Sequence, residues 1–486
     1  MRAMLRSLAS LVAVGAALAC ATNPVTGRQE VILMSPARES AEGKQAAAQV
    51  EKEIGLLRDP ALTAYVSKIG DRMAKLSPRK DTAYRFAIAD MPEPNAFALP
   101  GGWVYVSRGL LAYANDEDEL AGVIGHEIGH VAARHAAQRE TRSMGVGLLS
   151  VLGTIAAGIA GGAQAASMVS QLGQVAGASL IASYSRDQER QADEIGQQLE
   201  AAAGWDPDAL ADFLVTLDRE GQVREGKQRQ PSFLDSHPMP GERAVVARAR
   251  APELARGAEP RIAKGRTAYL QRIEGILVGP DPREGVFEDG RFLHPGLGFA
   301  IEFPDGWQTQ NQKNAVGALS TQRDAMILLE PQGQGGTPRD AAQRWAESNR
   351  VDVVRSGALQ IGGWQAYRVL AQAQSQQGAL AADAYFVAHP SGMFRITGIT
   401  SAQRYDDWAP TFQRVAGSFR DITDAERSRA RPLRLRLVTA RAGETLFDLG
   451  RRSGNAWKPN LTAVVNGIDQ AAPLAAGQLV KVAVRE

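Results

Sequence analysis

Between residues 54 and 69, apolar side chains recur every three to five positions, the spacing of one face of an amphipathic helix. Pro60 stands where such a helix can begin, because proline is tolerated in the first helical turn. Phe86–Ala89 and Trp103–Val106 have the composition of short strands instead. Residues 41–272 are therefore predicted to form a mainly helical domain with a small sheet. The apolar positions of the helical pattern are Ile54, Leu57, Leu62, Val66 and Ile69.

After residue 279 the pattern changes from helical spacing to short alternating runs, which are typical of strands. Residues 287–422 are predicted to form an α+β domain, with one helix over Ala341–Asn349. A linker rich in arginine follows, and residues 437–486 form a last small unit. The predicted strands are Phe299–Trp307, which ends in a turn, Ala325–Leu329, Trp364–Val369 and Ala384–Ala388. The arginines of the linker are Arg427, Arg429, Arg431, Arg434 and Arg436.

The composition is that of a soluble globular protein with several domains. The chain has 486 residues, of which 44% are hydrophobic and 22% are charged. These values exclude wholesale disorder and a membrane protein with many spans. The formal net charge of +2 gives no electrostatic reason to expect a nucleic acid as partner.

The amino terminus has the features of a secretory signal. Arg2 and Arg6 precede an apolar run, Leu8–Leu18, that is too short to span a membrane, for which about 20 apolar residues are needed. A basic start, a short apolar segment and small residues at its end predict that residues 1–19 are a signal peptide. The chain is therefore expected to be exported.

The only cysteine, Cys20, directly follows this apolar run. The arrangement resembles a bacterial lipobox, in which the cysteine is acylated and becomes the first residue of the mature chain. It predicts a lipid anchor at Cys20, with residues 20–40 as a linker, and Ala21 after the cysteine implies the outer membrane. The alternative is an ordinary signal peptide with an incidental cysteine.

The strongest chemical motif is His126-Glu127-Ile128-Gly129-His130. At 3.6 residues per turn, the two histidines lie about 40° apart on one helix face, so both imidazoles can bind one metal ion. Glu127 lies beside that face, where its carboxylate can accept a proton from water. Acidic residues at 116–119 favour the start of a helix there. The motif predicts a catalytic zinc site.

Two histidines leave a catalytic zinc ion one protein ligand short. His135 lies about 140° further round an uninterrupted helix, so we expect it to point away, as a surface or supporting histidine. Glu189 and Asp193 are four positions apart and could both face the metal, one as ligand and one as acceptor for a ligand histidine. The alternative for this pair is a solvent-exposed charged helix.

Four motifs in this order resemble one family. They are Asn95–Gly102, His126–His130, Arg186–Asp193 and Ser236-His237-Pro238 with Arg243. Together they resemble the gluzincin peptidases that include the CAAX prenyl proteases, HtpX and the periplasmic BepA-like proteases. The similarity extends over about residues 45–250.

The resemblance implies that His126, His130 and Glu189 bind one zinc ion per chain. Glu127 would be the general base, and His237 would either donate a hydrogen bond to the oxyanion or occupy the open zinc position in a latent state. Asp193 would orient a ligand histidine, and Arg243 would hold the loop of His237. The segment Asn95–Gly102 would lead into an edge strand that binds the substrate backbone by β-augmentation. The substrate-binding residues of this segment would be Asn95, Ala96, Phe97, Ala98, Leu99 and Gly101.

Residues 145–181 are rich in Gly, Ala and Ser and nearly uncharged. We expect a pair of closely packed helices beside the active site. The alternative is that this segment contacts a membrane or an unfolded client protein.

The two C-terminal regions resemble known modules. Residues 287–422 resemble the PsbP-like α+β module, in which His294 and His389 are isolated, so a structural or docking role is expected. Residues 437–486 resemble a LysM module with the order strand, helix, helix, strand. Either glycan binding, which would bring the protein to peptidoglycan, or a contact with protein fits this unit. The predicted fold class is thus multidomain α+β.

The sequence therefore predicts an exported zinc endopeptidase, periplasmic and anchored to the outer membrane, that hydrolyses misfolded or misassembled envelope proteins. One alternative is a chaperone-like or scaffold lipoprotein with a latent zinc site that binds envelope proteins or peptidoglycan. The presence of Glu127 argues against it, because a structural site needs no base beside the metal. A second alternative, an intramembrane protease of the CAAX type, needs several long apolar spans, which the chain lacks.

Overall fold

The computed structural model describes residues 20–25, 27, 29–140, 184–224, 233–288, 290–312, 315–375 and 378–486. The predicted signal peptide, residues 1–19, and the predicted helix pair within residues 145–181 lie outside the described residues. The chain forms two compact units, one from the described residues up to 279 together with 433–485, and the other within residues 280–432. Among the described residues, none of the helices combines the length and the apolar character needed to span a membrane.

The first unit contains a helical region with two small sheets. Its helices are α1 Pro36–Glu53, α2 Pro60–Ala74, α3 Arg108–Tyr113, α4 Glu117–Ala132, α5 Arg186–Ala202, α6 Ala209–Arg224, α7 Phe233–Ser236, α8 Pro240–Arg250 and α9 Gly265–Ile273. Its strands are β1 Cys20–Thr22, β2 Gln29–Val31, β3 Arg85–Ala89, β4 Ala96–Leu99 and β5 Trp103–Ser107. Strands β1 and β2 pair antiparallel. In the other sheet β5 lies between β3, its parallel neighbour, and β4, its antiparallel neighbour.

Helix α4 forms the centre of this unit, since all of its residues are buried. It packs against α5 at unusually short distance, because glycines face each other across the interface. A Cβ atom on Gly125 would lie 2.9 Å from the carbonyl oxygen of Gly196, and one on Gly129 would lie 2.7 Å from that of Ala192. The two helix backbones are thus in direct contact.

The second unit is α+β, as predicted. Its strands are β6 Val286–Glu288, β7 Arg291–His294, β8 Phe299–Glu302, β9 Gln308–Gln312, β10 Ala315–Leu319, β11 Ala325–Pro331, β12 Asp352–Ile361, β13 Trp364–Ser375, β14 Gly378–His389, β15 Gly392–Ser401 and β16 Arg420–Asp421. Seven of them form an antiparallel sheet with the order β12-β13-β14-β15-β11-β10-β9, and a second sheet has the order β16-β8-β7-β6. The helices are α10 Pro338–Asn349, α11 Tyr405–Gly417 and α12 Asp424–Arg429. Aromatic side chains, among them Phe299, Phe412 and Phe419, fill the core.

The end of the chain has the order strand, helix, helix, strand. Its elements are β17 Leu433–Thr439, α13 Leu446–Ser453, α14 Pro459–Val465 and β18 Leu479–Arg485. Strand β17 starts ahead of the expected boundary at residue 437, so two arginines assigned to the linker lie in a strand. The reason is that the backbone of β17 also bonds residues 275–278, with Gly275 N–H donating to the Leu435 carbonyl at 2.8 Å.

This terminal segment shares its core with the helical region. Leu435, Val464 and Ala483 belong to the same apolar cluster as α4. Lys481 on β18 is fully buried, and its Nζ donates hydrogen bonds to the carbonyls of Ala112, Tyr113 and Ala114 at 2.9, 3.3 and 2.8 Å. These carbonyls lie immediately ahead of α4, so the last strand of the chain supports the start of the central helix.

Replacing Lys481 with methionine is expected to destabilise the protein. The variant removes the lysine donor of the buried Ala112 and Ala114 carbonyls, and a buried polar group without a partner costs about 1–3 kcal/mol. Urea unfolding of Lys481→Met should show a free energy of unfolding lower by about 2–4 kcal/mol. The exposed Lys458 provides the matched control, since Lys458→Met should stay within about 0.5 kcal/mol of the parent. Equal stability of both variants would contradict this role for Lys481.

Replacing Gly196 with alanine is expected to force α4 and α5 apart. The added Cβ would lie 2.7 Å from the backbone nitrogen of His126, which cannot move without shifting the helix. Such overpacking costs about 1–3 kcal/mol, measurable as a lower free energy of unfolding in urea. Gly450, a helical glycine in α13 whose Cβ would meet nothing closer than 3.7 Å, serves as control. Gly450→Ala should be neutral or stabilising by up to about 1 kcal/mol, and a similar result for Gly196→Ala would disprove the close-contact argument.

Candidate metal centre

Helix α4 presents His126, Glu127 and His130 to the interior, with exposures of 0%, 0% and 2%. The helix begins where the sequence predicts, because the Asp116 side chain accepts a hydrogen bond from Glu119 N–H and caps the first turn. Three acidic residues in that turn interact favourably with the positive end of the helix dipole and stabilise the helix start. The motif therefore lies on a helix, as expected.

Helix α5 supplies the two predicted acidic residues. Glu189 and Asp193 are 1% and 4% exposed, so the alternative of a solvent-exposed charged face is wrong at these positions. The helix starts with a reciprocal cap, in which the Ser185 hydroxyl and the Gln188 side chain each accept a backbone hydrogen bond of the other residue. This cap sets the turn on which Glu189 faces α4.

The side chains of the two helices converge on one point. His126 Nε2 lies 3.0 Å from His130 Nε2 and 3.6 Å from Glu189 Oε2, and His130 Nε2 lies 3.4 Å from Glu189 Oε1. His237 Nδ1 lies 3.2 Å from His126 Nε2 and 3.0 Å from Glu189 Oε1. One donor atom from each of these four residues lies within 4.8 Å of all the others. Buried imidazoles and a carboxylate at this spacing can bind a metal ion, and zinc prefers such donors.

Arg243 on α8 ties the acidic residues together. Its Nε and Nη2 donate to both carboxylate oxygens of Asp193 at 2.8 and 2.7 Å, and its Nη1 lies 2.6 Å from Glu189 Oε2. Burial opposes ionisation of Asp193, but Arg243 outweighs it and lowers the pKa of that carboxyl to about 2. Burial likewise opposes ionisation of Glu189, yet the charges of His237 and Arg243 hold the pKa of Glu189 well below its usual range. Both carboxyls are therefore ionised at neutral pH.

Glu127 differs from these two acids. It is fully buried, and among the described residues neither of its carboxylate oxygens has a hydrogen-bond partner. The imidazole of His237 lies beside it, with Nε2 3.5 Å from Glu127 Oε1. Burial raises the pKa of Glu127 above its usual value. A buried carboxylate without a partner beside a metal-binding cluster is suited to accept a proton from a water molecule or substrate.

His237 reaches the cluster from the loop that follows α7. The ring of Phe233 stacks on that of His237 with centroids 4.0 Å apart, and Tyr184 N–H donates to the Ser236 carbonyl at 3.1 Å. Met239 then adopts a positive φ of 61° before α8 begins. The aromatic contact and the turn aim His237 at the two helices, where it was expected.

The prediction that His135 points away is wrong. Its side chain is fully buried, and its Nδ1 lies 2.9 Å from His130 Nδ1. The expectation assumed one continuous helix, but α4 ends at Ala132 and Arg134 adopts a positive φ of 58°. Residues 135–140 are helical again after this turn. The turn returns His135 to the metal-binding histidine.

The predicted substrate segment was expected to lead into the edge strand, but it forms the edge strand β4 itself and the turn after it, because the next strand, β5, lies in the middle of the sheet. Ala96, Phe97, Ala98 and Leu99 are buried in β4, which packs against α4, and Gly101 follows with a φ of 75°. The fully buried Asn95 precedes the strand, and both polar atoms of its side chain lack a partner among the described residues. The strand end, His130 and Tyr184 line one small cavity. Cys20 lies in β1, and its lipidation stays a prediction.

Two aromatic residues of the site carry contacts that the sequence does not reveal. The ring of Tyr184 stacks on that of His130 with centroids 3.8 Å apart. The Arg139 guanidinium lies over the Tyr184 ring, 4.8 Å from its centroid. Burial raises the pKa of Tyr184 to about 12, so the phenol stays neutral. Phe233 contacts His237 in the same manner. The only sequence signal was the position of Tyr184 directly before the cap of α5.

Residues 60–251 match the model of peptidase family M48. The chain is 32% identical over 274 residues to the beta-barrel assembly-enhancing protease of Escherichia coli K12, covering 56% of this chain and 53% of that one. It is 33% identical over 177 residues to the mitochondrial metalloendopeptidase OMA1 of Schizosaccharomyces pombe, covering 36% and 49%. The chain thus spans about half the length of these two relatives.

The chain also resembles a shorter metalloprotease and a solved structure. The solution structure of cyanobacterial PsbP from Synechocystis matches 27% of this chain and 91% of that one at 16% identity, with a TM-score of 0.24. The metalloprotease YcaL of Escherichia coli K12 is 33% identical over 189 residues, which cover 38% of this chain and 70% of YcaL. With its ordered zincin motifs and the four-residue cluster they form, the chain belongs to peptidase family M48, a family of metallopeptidases.

Proposed function

We propose that this metallopeptidase uses one zinc ion to hydrolyse peptide bonds inside misfolded or misassembled proteins of the bacterial cell envelope. The observation that carries the proposal is the fully buried Glu127 carboxylate, which has no hydrogen-bond partner among the described residues and lies beside the metal-binding cluster. Packing alone does not account for an unpartnered acid there, because burying such a group is costly. A base that acts on water or substrate does account for it.

His126, His130 and Glu189 would hold the zinc ion. Their donor atoms lie 3.0–3.6 Å apart, and two imidazoles with one carboxylate are the ligand set of several zinc peptidases. Zinc supplies a Lewis acid that polarises a carbonyl and lowers the pKa of water toward about 7. Asp193 accepts a hydrogen bond from His126 Nδ1 at 2.8 Å, which orients that ring toward the ion.

Glu127 would accept the proton of the attacking water and pass it to the leaving amine. Burial raises the pKa of Glu127, which makes its carboxylate a stronger proton acceptor. The attacking group is water, so the mechanism needs no covalent intermediate on the enzyme. Residues of the cluster provide the acid and base functions that peptide hydrolysis requires.

His237 has two proposed roles that depend on the state of the site. In one it donates a hydrogen bond to the oxyanion of the reacting peptide. In the other it occupies the open metal position and keeps the enzyme latent. Its Nδ1, 3.0 Å from Glu189 Oε1 and 3.2 Å from His126 Nε2, supports the latent arrangement, and Arg243 would hold the loop in place.

The substrate backbone would add to the edge of β4 by β-augmentation. Support comes from the position of β4 at the sheet edge against α4 and from the unpartnered amide of Asn95. The side-chain amide of asparagine can donate through its NH₂ group and accept through its carbonyl oxygen, so it can pair with both polar groups of a peptide bond. Recognition through the backbone would give low sequence specificity.

The cellular setting rests on relatives and on the amino terminus. Several relatives are named beta-barrel assembly-enhancing proteases, which supports envelope proteins as substrates. We propose a periplasmic protein with a lipid anchor at Cys20 in the outer membrane, supported by the lipobox-like sequence alone. The terminal LysM-like segment would contact peptidoglycan, and Phe447, 65% exposed at its first helix, is available for that contact. The PsbP-like unit would be structural or serve in docking.

The alternative remains a chaperone-like or scaffold lipoprotein with a latent zinc site. It is favoured by the complete burial of the His126, Glu127 and His237 side chains. Activity of the zinc-loaded protein separates the two proposals.

Substitution of Glu127 by glutamine is expected to remove peptidase activity while zinc stays bound. Glutamine keeps the shape but not the base, and loss of general acid–base catalysis costs about 10²–10⁴-fold in rate. Casein cleavage and zinc content are measured on the mature protein and on the variant. The exposed Glu194 on α5 is the matched control, since Glu194→Gln should cleave like the parent.

Cleavage by both Glu127→Gln and the parent would contradict the role of Glu127. If both bind about one zinc and neither cleaves casein, His237→Ala decides the matter. Activity that appears in His237→Ala supports a latent peptidase, and continued inactivity supports the scaffold.

A further inference from the structure

We infer that His135 is a positioning residue that fixes the proton of His130 and thereby directs the free Nε2 lone pair of His130 into the metal site. The inference rests on the proposed zinc site. It assigns a specific function to a histidine that was expected to be a surface or supporting residue.

The positions of the imidazole hydrogens on His135 and His130 follow from the contact between His135 and Gln191. His135 Nε2 lies 2.9 Å from Gln191 Oε1, an amide oxygen that can only accept. His135 Nε2 therefore carries a hydrogen. A neutral imidazole has one donor and one acceptor nitrogen, so His135 Nδ1 is the acceptor.

The acceptor nitrogen of His135 in turn fixes the hydrogen of His130. His135 Nδ1 lies 2.9 Å from His130 Nδ1, which must therefore carry the hydrogen between them. His130 Nε2 is then left with its lone pair, and this atom lies 3.0 Å from His126 Nε2 and 3.4 Å from Glu189 Oε1. A hydrogen on that nitrogen would exclude a metal ion from the cluster. The contact with His135 selects the tautomer that can bind one.

The two metal-binding histidines are thus oriented by different groups, and both groups lead to helix α5. His126 donates from Nδ1 to Asp193 Oδ1 at 2.8 Å, and His130 donates to His135, which is itself held by Gln191. Glu189, Gln191 and Asp193 all belong to α5. One helix therefore provides a metal ligand and fixes the orientation of both histidines on α4.

The backbone turn that brings His135 back is itself held by buried charges. Arg134, in the left-handed conformation, donates from Nε to Glu39 Oε2 at 3.0 Å and from Nη2 to the Met34 carbonyl at 2.7 Å. Arg79 binds the same carboxylate of Glu39 through Nη1 and Nη2 at 2.7 and 2.9 Å. Helix α1, which carries Glu39, thereby stabilises the turn.

The experiment compares zinc dissociation constants, measured by competition with a chelator, for the parent, His135→Leu and His135→Asn. Leucine fills a similar volume without an acceptor, whereas the asparagine Oδ1 can replace the imidazole Nδ1. We expect His135→Leu to bind zinc about 10–100-fold more weakly, the usual effect of losing a partner of a ligand histidine. His135→Asn should recover most of the loss.

A second pair of variants tests the chain of contacts. Gln191→Leu should weaken zinc binding in the same direction, because His135 loses the group that fixes its own hydrogen. The double variant with His135→Leu should bind no more weakly than His135→Leu alone, since the two residues act in series. If His135→Leu does not fold, Gln191→Leu still tests the inference.

Each contrary result has one meaning. Equal zinc affinity of the parent, His135→Leu and Gln191→Leu overturns the inference, and so does an equal loss in His135→Leu and His135→Asn, which would indicate packing alone. A parent that binds no zinc overturns the proposed function and the inference together. A parent that binds zinc while these variants are unaffected overturns the inference only.

Discussion

The direct contact between the backbones of α4 and α5 is the constraint on which the metal centre depends. Gly125 and Gly129 on α4 meet Gly196 and the carbonyl of Ala192 on α5 at distances that no side chain could tolerate. Because the helices are this close, His126 and His130 reach the same point as Glu189. Side chains between the helices would separate the ligands by more than a metal ion can bridge.

That contact places several titratable groups in the interior, where unpaired charge is costly. Arg243 offsets part of the cost by binding Asp193 and Glu189 at once. The histidines add hydrogen-bond donors, and a divalent cation would neutralise the remaining negative charge. Neither carboxylate oxygen of Glu127 has a hydrogen-bond partner among the described residues, which is expected of a group that acts on a transient substrate.

Local sequence rules predicted the part of the site that lies on single helices. The spacing of His126 and His130 gave one face, and the cap at Asp116 gave the helix start. Glu189 could be placed as a candidate by its spacing from Asp193, but its burial follows from tertiary packing, so the spacing alone favoured a solvent-exposed charged helix. The family resemblance, not the pattern, selected it.

The prediction failed where the backbone leaves a regular path. The left-handed turn at Arg134 is held by Glu39, which is distant in sequence, so the return of His135 to His130 has no local signal. The start of strand β17 was assigned to a linker because it is rich in arginine, although Leu435 between two of these arginines is fully buried. The stacking of Tyr184 on His130 is also a long-range contact.

The most direct test of the central claim is a crystal structure of the zinc-saturated full chain, with anomalous diffraction recorded at the zinc edge. The account predicts one anomalous peak bonded to His126 Nε2, His130 Nε2 and a Glu189 oxygen at about 2.0–2.2 Å. A peak at another position, or saturated protein without a peak between α4 and α5, would contradict it.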